Sequence, residues 1–325
     1  MAEDDRPDRP KLILHVGTQK TGTTTIQGFL KNTTNALQDA GVHYLNTGRT
    51  NIAHNVMIPM IRKGRGPNLA RRLIKEIGRH SNKTSVISSE MFFRTDMADF
   101  FATHFPPEVL AATRVVVYLR RQDKYAEAMW KQRVKNGRYT GSPQDYVAAH
   151  KSLDFLPILN HFTGVFGLQN MIVRPFERAH FPKGDVLQDF ASHCQIPPEL
   201  AASYDVPSSN ATLSKEVSEE LGRMNREKSG INTRQVIRTL SRLRPEGAIR
   251  SGDCFSLTER QDLMQRFATQ NEALRAKYCP ELPHLFDLSD LDDPENYPVA
   301  SGSVLNQREQ QAQSAIQLAL TELGH

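Results

Sequence analysis

One segment constrains this chain more than any other: Lys11 to Val16 (KLILHV) runs straight into Gly17-Thr-Gln-Lys-Thr-Gly-Thr-Thr24. A short apolar run without polar alternation reads as a strand buried on both faces, the habit of parallel sheets. Beyond the loop, Thr23 to Leu37 reads as a helix, with Ile26, Phe29 and Leu30 at helical spacing. Strand, glycine loop and helix start together make an anion cradle. A glycine at each end lets the backbone turn tightly and aim its N–H groups inward. The helix dipole adds about 0.3–1 kcal/mol per favourable charge. Hydroxyls of Thr21, Thr23 and Thr24 can donate to phosphate oxygens. Gly17, Thr18, Gln19, Lys20, Thr21, Gly22, Thr23 and Thr24 are therefore the expected phosphate-binding residues.

The rest of the first two-thirds repeats the strand–helix alternation. Ser85–Ser88 (SVIS), Arg114–Leu119 (RVVVYL) and Asn170–Val173 read as strands. Lys124–Lys135 reads as a helix, and Val186–His193 begins another. Such alternation predicts an α/β fold with a P-loop-type central parallel sheet flanked by helices. From about Ser214 the pattern turns helical, over Ser214–Asn225, Arg234–Leu243 and Leu257–Tyr278. These segments form either a helical cap or flanking helices on the same core. Asp287–Pro298 is acidic and Pro-containing, hence a loop, and Gln307–Leu323 reads as a polar final helix. The expected layout is a disordered N-terminus over 1–10, one domain over 11–285 with its helical portion from about 205, and an acidic loop and C-terminal helix over 286–325.

The loop departs from the nucleoside-triphosphate pattern, which puts Lys directly after the second Gly. Thr23 holds that place, and the only lysine, Lys20, lies inside the loop. The best strand, RVVVYL, ends in Arg120-Arg121 and not in a magnesium-binding Asp. The loop thus suits an anion handled by side chains, with no metal expected.

The stretch HVGTQKTGTTTIQ resembles the phosphosulfate loop of sulfotransferases that use 3′-phosphoadenosine 5′-phosphosulfate (PAPS), and Val206–Asn225 and Gln265–Tyr278 resemble the C-terminal half of bacterial members that act on carbohydrates or lipid-linked glycans. The resemblance covers roughly Lys11 to Tyr278. It implies PAPS as sulfuryl donor, with Lys20 at the bridging oxygen stabilising the leaving phosphate. It implies that Arg120, at the end of an apolar strand, holds the 3′-phosphate, for which an Arg fork is suited. The family places a Ser eight residues later, where this chain has Ala128; Lys124, Lys131, Gln132 and Arg133 are nearby donors, and Gln132, one helical turn further, is the one expected in its place. Phe176, in Ile172-Val-Arg-Pro-Phe-Glu177, matches an aromatic that packs near adenine.

Sulfuryl transfer also needs a base for the acceptor hydroxyl. Glu90, closing Val86-Ile-Ser-Ser-Glu90 between the two nucleotide motifs, is the expected base by likeness to members that use Glu. A structural carboxylate bound to backbone amides or to Lys20 is the other reading of Glu90. His54, in Asn51-Ile-Ala-His-Asn55, is the second candidate base, since an imidazole titrates suitably without tuning.

Charge narrows the acceptor less sharply. Net charge is only +5, but Arg62–Arg79 carries seven Lys/Arg against one Glu, and Arg223–Arg250 eight against two. Such stretches are either solvated helix faces or contacts for an anionic partner. The expected acceptor is a glycan or glycolipid hydroxyl, with no nucleic-acid partner and the oligomeric state open. The alternatives are a P-loop nucleotide or small-molecule kinase with a deviant loop, and a noncatalytic nucleic-acid binder. Three cysteines without CxxC spacing argue against a disulfide framework or a zinc site. No apolar stretch is long enough for a membrane helix, and the polar start lacks secretory character. A cytoplasmic location is expected.

Overall fold

The computed structural model describes residues 10–149, 153–206, 212–227 and 231–325. Five strands form one sheet: β1 (Leu12–His15), β2 (Val42–Tyr44), β3 (Thr84–Ser88), β4 (Thr113–Leu119) and β5 (Met171–Pro175). Their order is β2-β3-β1-β4-β5, and every pairing is parallel. The α/β class with a central parallel sheet flanked by helices is therefore what this chain adopts. Leu12, Ile13, Leu14 and His15 are all fully buried, as a central strand covered on both faces requires.

Strand order also locates a crevice. After β1 the chain goes to β2 on one side; after β4 it goes to β5 on the other. Where connections diverge in this way, the carboxyl ends of the two strands open a ligand-binding cleft. The loop from Gly17 and the Arg120 corner follow those two strand ends.

Boundaries differ from expectation in instructive places. The helix after the loop stops at Asn32, and a second begins at Thr34. Thr33 Oγ1 donates to the Phe29 carbonyl at 2.7 Å and Thr34 Oγ1 to the Lys31 carbonyl at 2.7 Å. Such back-bonding by hydroxyls bends or ends helices. β2 was not foreseen: three residues are too short to show a period, and Val42-His-Tyr44 places a polar residue in its middle. Disorder over the first nine residues lies outside the described residues, whereas Pro10 is buried and its carbonyl accepts from Thr84 Oγ1 at 3.0 Å.

The chain divides into two compact units. One comprises Met1–Arg121, Asp154–Pro207 and Gln270–Phe286, and holds the sheet. Its core on one face joins Ile13, Val86 and Val116 of the strands to Ile26, Phe29 and Leu30 of the first helix and Phe190 of Val186–His193. The other comprises Gln122–Leu153, Ser208–Thr269 and Asp287–His325 and is helical. Thr233–Leu243 shows how its helices are specified: the Asn232 side chain caps the Arg234 N–H, and Val236, Ile237 and Leu240 make one buried stripe.

Within this helical unit three cations of the Arg223–Arg250 stretch are held in ion pairs. Arg223 pairs with Glu220 and Glu227, Arg242 with Glu322, and Arg250 with Glu216; residues 228–230 lie outside the described residues. The expected Asp287–Pro298 loop holds two short 3-10 turns, Ser289–Leu291 and Pro294–Asn296. Among the described residues no helix is long and apolar enough to cross a membrane.

Candidate active site

The Gly17–Thr24 loop is a continuation of the sheet before it becomes a turn. Val16 N–H donates to the Val116 carbonyl at 3.1 Å, Tyr118 N–H to Gly17 O at 2.8 Å, and Thr18 N–H to Tyr118 O at 2.9 Å. Gly17 then takes φ +98°, and a Cβ there would lie 3.0 Å from Glu90 Cα. Glycine is required twice over, by conformation and by close approach. Lys20 sits at φ 64°, an uncommon conformation for a residue with a side chain. Gly22 ends the turn at φ 73°, and its carbonyl accepts from Thr25 and Ile26 as the helix begins.

Two loop hydroxyls serve the loop itself. Thr21 Oγ1 donates to Thr18 O at 2.6 Å, and Thr18 Oγ1 donates to Tyr118 O at 3.1 Å. A hydroxyl has one hydrogen to give, so Thr21, foreseen as a phosphate donor, here holds the loop's shape. Thr23 is buried and Thr24 exposed at the helix start, while Gln19 and Lys20 are half-buried.

Arg120 and Phe176 reach the same loop from β4 and β5. Arg120 Nη1 donates to the Lys20 carbonyl at 3.0 Å. Phe176 N–H donates to Leu119 O at 2.6 Å, and its ring lies 3.3 Å from where a Gly22 Cβ would stand. Gln132 is half-buried on the helix Gln122–Lys135, one turn past Ala128, and belongs to the helical unit.

Glu90 comes to the loop through register. β1 and β3 pair His15 with Ser88, and Ser89 N–H donates to His15 O at 3.0 Å, so Glu90 emerges beside Gly17. Its two oxygens are held separately: Gln27 Nε2 donates to Oε2 at 2.9 Å and Asn55 Nδ2 to Oε1 at 2.8 Å. Asn55 Oδ1 in turn accepts from Ser89 Oγ at 2.5 Å. Glu90 is half-buried, and each oxygen keeps acceptor capacity beyond its amide bond. Gln27, Asn55 and Ser89 escaped the sequence reading. Gln27 lies one turn after Thr23, a position that points back to the helix start, and this was the available signal.

His54 is buried and its ring ties two strand ends together. Nδ1 accepts from Ser88 N–H at 3.2 Å, and Nε2 donates to Leu45 O at 3.0 Å. Burial pushes its pKa down to about 4, so the ring is neutral and both nitrogens are in use. His15, beneath the loop, is likewise buried: Nδ1 lies 2.7 Å from Ser88 Oγ, and burial pushes its pKa to about 3. The first unit thus brings together the whole Gly17–Thr24 loop, Glu90, Arg120 and Phe176.

Among the described residues, the group with metal-ligand spacing is Glu127, Asp253 and Cys254 in the helical unit. The Lys131 ammonium lies 2.5 Å from Asp253 and 3.3 Å from Glu127, so a cation already neutralises these carboxylates. Burial pushes the Cys254 thiol well above its ordinary pKa. This is the profile of a structural ion cluster.

No family model matches the chain. A protein of Archaeoglobus fulgidus described as uncharacterised is 29% identical over 196 residues, which is 59% of this chain and 53% of that protein. The matched region therefore spans about half of that relative's length. A solved sulfotransferase from Alicyclobacillus acidocaldarius is similar in structure with a TM-score of 0.47 at 14% identity, over 88% of this chain and 99% of its own.

Proposed function

We propose that this chain is a sulfotransferase that moves a sulfuryl group from PAPS to an acceptor hydroxyl on a carbohydrate or glycolipid. The observation that carries the reading is the convergence on one loop. A strand-to-helix anion cradle holds its lysine inside the turn, and a half-buried carboxylate emerges against its first glycine. In this reading the loop amides and Lys20 take the 5′-phosphosulfate. Arg120 serves the 3′-phosphate, and Phe176 the adenine.

Glu90 is assigned as base. The acceptor oxygen attacks sulfur, its proton passes to a free lone pair of Glu90, and the bond to the bridging oxygen breaks. Adenosine 3′,5′-bisphosphate leaves, with its new charge stabilised by Lys20. Gln27 and Asn55 aim the carboxylate. His54, neutral and with both nitrogens bonded, is assigned to positioning the Ser88–Glu90 segment.

Calorimetric titration with adenosine 3′,5′-bisphosphate in EDTA tests the donor half. Binding that weakens at least about tenfold in Lys20→Ala is expected. Tight binding of magnesium-ATP with none of the bisphosphate sinks the proposal in favour of a kinase. Transfer from isotopically labelled PAPS to a glycan extract, followed by mass analysis, tests the acceptor half.

A further inference from the structure

Two amides hold the Glu90 carboxylate, and they are anchored differently. Gln27, which bonds Oε2, projects from the helix Thr23–Asn32 and is buried. Asn55, which bonds Oε1, lies in the loop after β2. Its approach is set by the backbone before it. Thr50 and Ala53 exchange hydrogen bonds at 3.0 and 3.2 Å, Asn51 takes φ 56°, and His54 N–H donates to Ser88 O at 2.9 Å. These bonds bring the Asn55 side chain to Glu90. They do not decide which end of its amide faces the carboxylate, because Oδ1 and Nδ2 fill the same space.

Ser89 supplies that decision. The residue is fully buried, and its N–H is tied to His15 O at 3.0 Å. Its Oγ accepts from Met91 N–H at 3.1 Å and donates to Asn55 Oδ1 at 2.5 Å. A hydroxyl has one hydrogen to give, and this one is spent on Asn55. Donation therefore runs one way: from Met91 N–H to Ser89 Oγ, from Ser89 O–H to Asn55 Oδ1, and from Asn55 N–H to Glu90 Oε1. Bonds in such a chain polarise and strengthen one another. Turning the amide over would set Oδ1 against a carboxylate oxygen with no hydrogen between them. It would also leave the Ser89 hydrogen without Oδ1 in the interior.

We infer that Ser89 is a positioning residue, whose hydroxyl fixes the Asn55 amide so that an N–H, and not an oxygen, meets Glu90. The orientation of the amide stands on the hydrogen bonds alone; its catalytic consequence rests on the reading of Glu90 as base. With one amide hydrogen on each oxygen, the carboxylate is held against rotation. Its remaining lone pairs then keep one direction, as a general base needs in order to meet its proton within hydrogen-bond reach.

The test has an arm that needs no turnover. Solvent exchange of the Asn55 side-chain NH2 is followed by NMR on the full chain, its signals being those lost in Asn55→Ala. In Ser89→Ala this exchange should quicken about tenfold, while the Gln27 side-chain NH2 stays within a factor of two of the parent chain. Unchanged Asn55 exchange, or equal quickening at Gln27, overturns the inference; the second result would mean a general loosening.

The other arm measures transfer from labelled PAPS to a fixed glycan extract. Ser89→Ala should lower the rate about tenfold, with the KM for PAPS and the affinity for adenosine 3′,5′-bisphosphate within a factor of two of the parent chain. Because Ser89 acts through Asn55, the double variant Ser89→Ala, Asn55→Ala should be no slower than Asn55→Ala alone. Losses that multiply in the double variant overturn the inference. So does a parent-like rate in Ser89→Ala where Glu90→Gln is disabled. A parent-like rate in Glu90→Gln, with Asn55 exchange quickened in Ser89→Ala, instead removes Glu90 as base and leaves the amide orientation standing. If the parent chain transfers nothing from PAPS, the sulfotransferase reading falls and the exchange arm still decides the orientation.

Discussion

The Gly17–Thr24 loop and the ion cluster around Arg260 are both dense in polar groups, and they use them in opposite ways. In the cluster, Arg260 Nη1 donates to Asp123 at 2.9 Å and Nη2 to Glu127 at 2.7 Å, while Lys131 bridges Glu127 and Asp253. Arg260, Asp123 and Glu127 are nearly or wholly buried. Charges removed from water must pair with one another, and removing one partner is far costlier than the pair is favourable. In the loop, hydroxyls and backbone groups pin the turn to β4, and Gln19, Lys20 and Thr24 stay in reach of solvent. A closed network specifies structure; a pinned but open one can receive a ligand.

Arg260→Met should break the first kind of site. It takes the guanidinium away from the buried carboxylates of Asp123 and Glu127, and the loss expected in urea unfolding is about 3–5 kcal/mol. Bisphosphate affinity at the loop should stay unchanged if folding is retained. A stability loss below about 1 kcal/mol would mean that the cluster is wetter than its burial suggests.

The second kind should respond the other way. Glu90→Gln and Lys20→Ala are each expected to lower PAPS-dependent turnover about 10²- to 10³-fold, roughly 3–4 kcal/mol of barrier. Their unfolding midpoints should lie close to that of the parent chain. Turnover within a factor of three of the parent in Glu90→Gln would assign Glu90 to structure.

Acid sharpens the contrast, because two histidines of the sheet unit, His15 and His54, are buried without a hydrogen bond to a carboxylate. His15 and His54 have folded pKa values of about 3 and about 4 against an ordinary 6.5. Below pH 6.5 the unfolded chain binds protons that the folded chain refuses. Their contribution to stability is therefore complete above pH 6.5 and declines as pH falls towards 4 and then 3, by up to about 1.4 kcal/mol per pH unit for each histidine. Unfolding midpoints from pH 7 to pH 4.5 should fall less steeply in His54→Gln than in the parent chain. Parallel slopes would show that His54 does not titrate between the two states.

The smallest effect concerns the loop's internal bonds. Thr21→Val removes the bond to Thr18 O but keeps the shape, and should cost about 1 kcal/mol of stability. Bisphosphate affinity, read by titration, should fall only modestly, because the backbone cradle remains. A loss as large as that of Lys20→Ala would place the Thr21 hydroxyl on the ligand.

Much of this was legible in the residues themselves. β1, the loop and its helix were readable because an unbroken apolar run, glycines at fixed spacing and a helical stripe are local signals. The same holds for β4 and for Leu257–Tyr278, long segments whose pattern outweighs their neighbours. β2 was not legible, because three residues become a strand only when β3 supplies the hydrogen bonds.

The site divides in the same manner. The sequence by itself determined the glycine loop between strand and helix, its internal lysine and the short list of nearby acids and bases, since each depends on residue type and spacing along the chain. Only the tertiary structure decided which of them meet. Parallel register, a long-range property, set Glu90 against Gly17 and gave its oxygens to Gln27 and Asn55. Burial, equally invisible along the chain, turned His54 from a polar-loop histidine into a neutral brace between two strand ends.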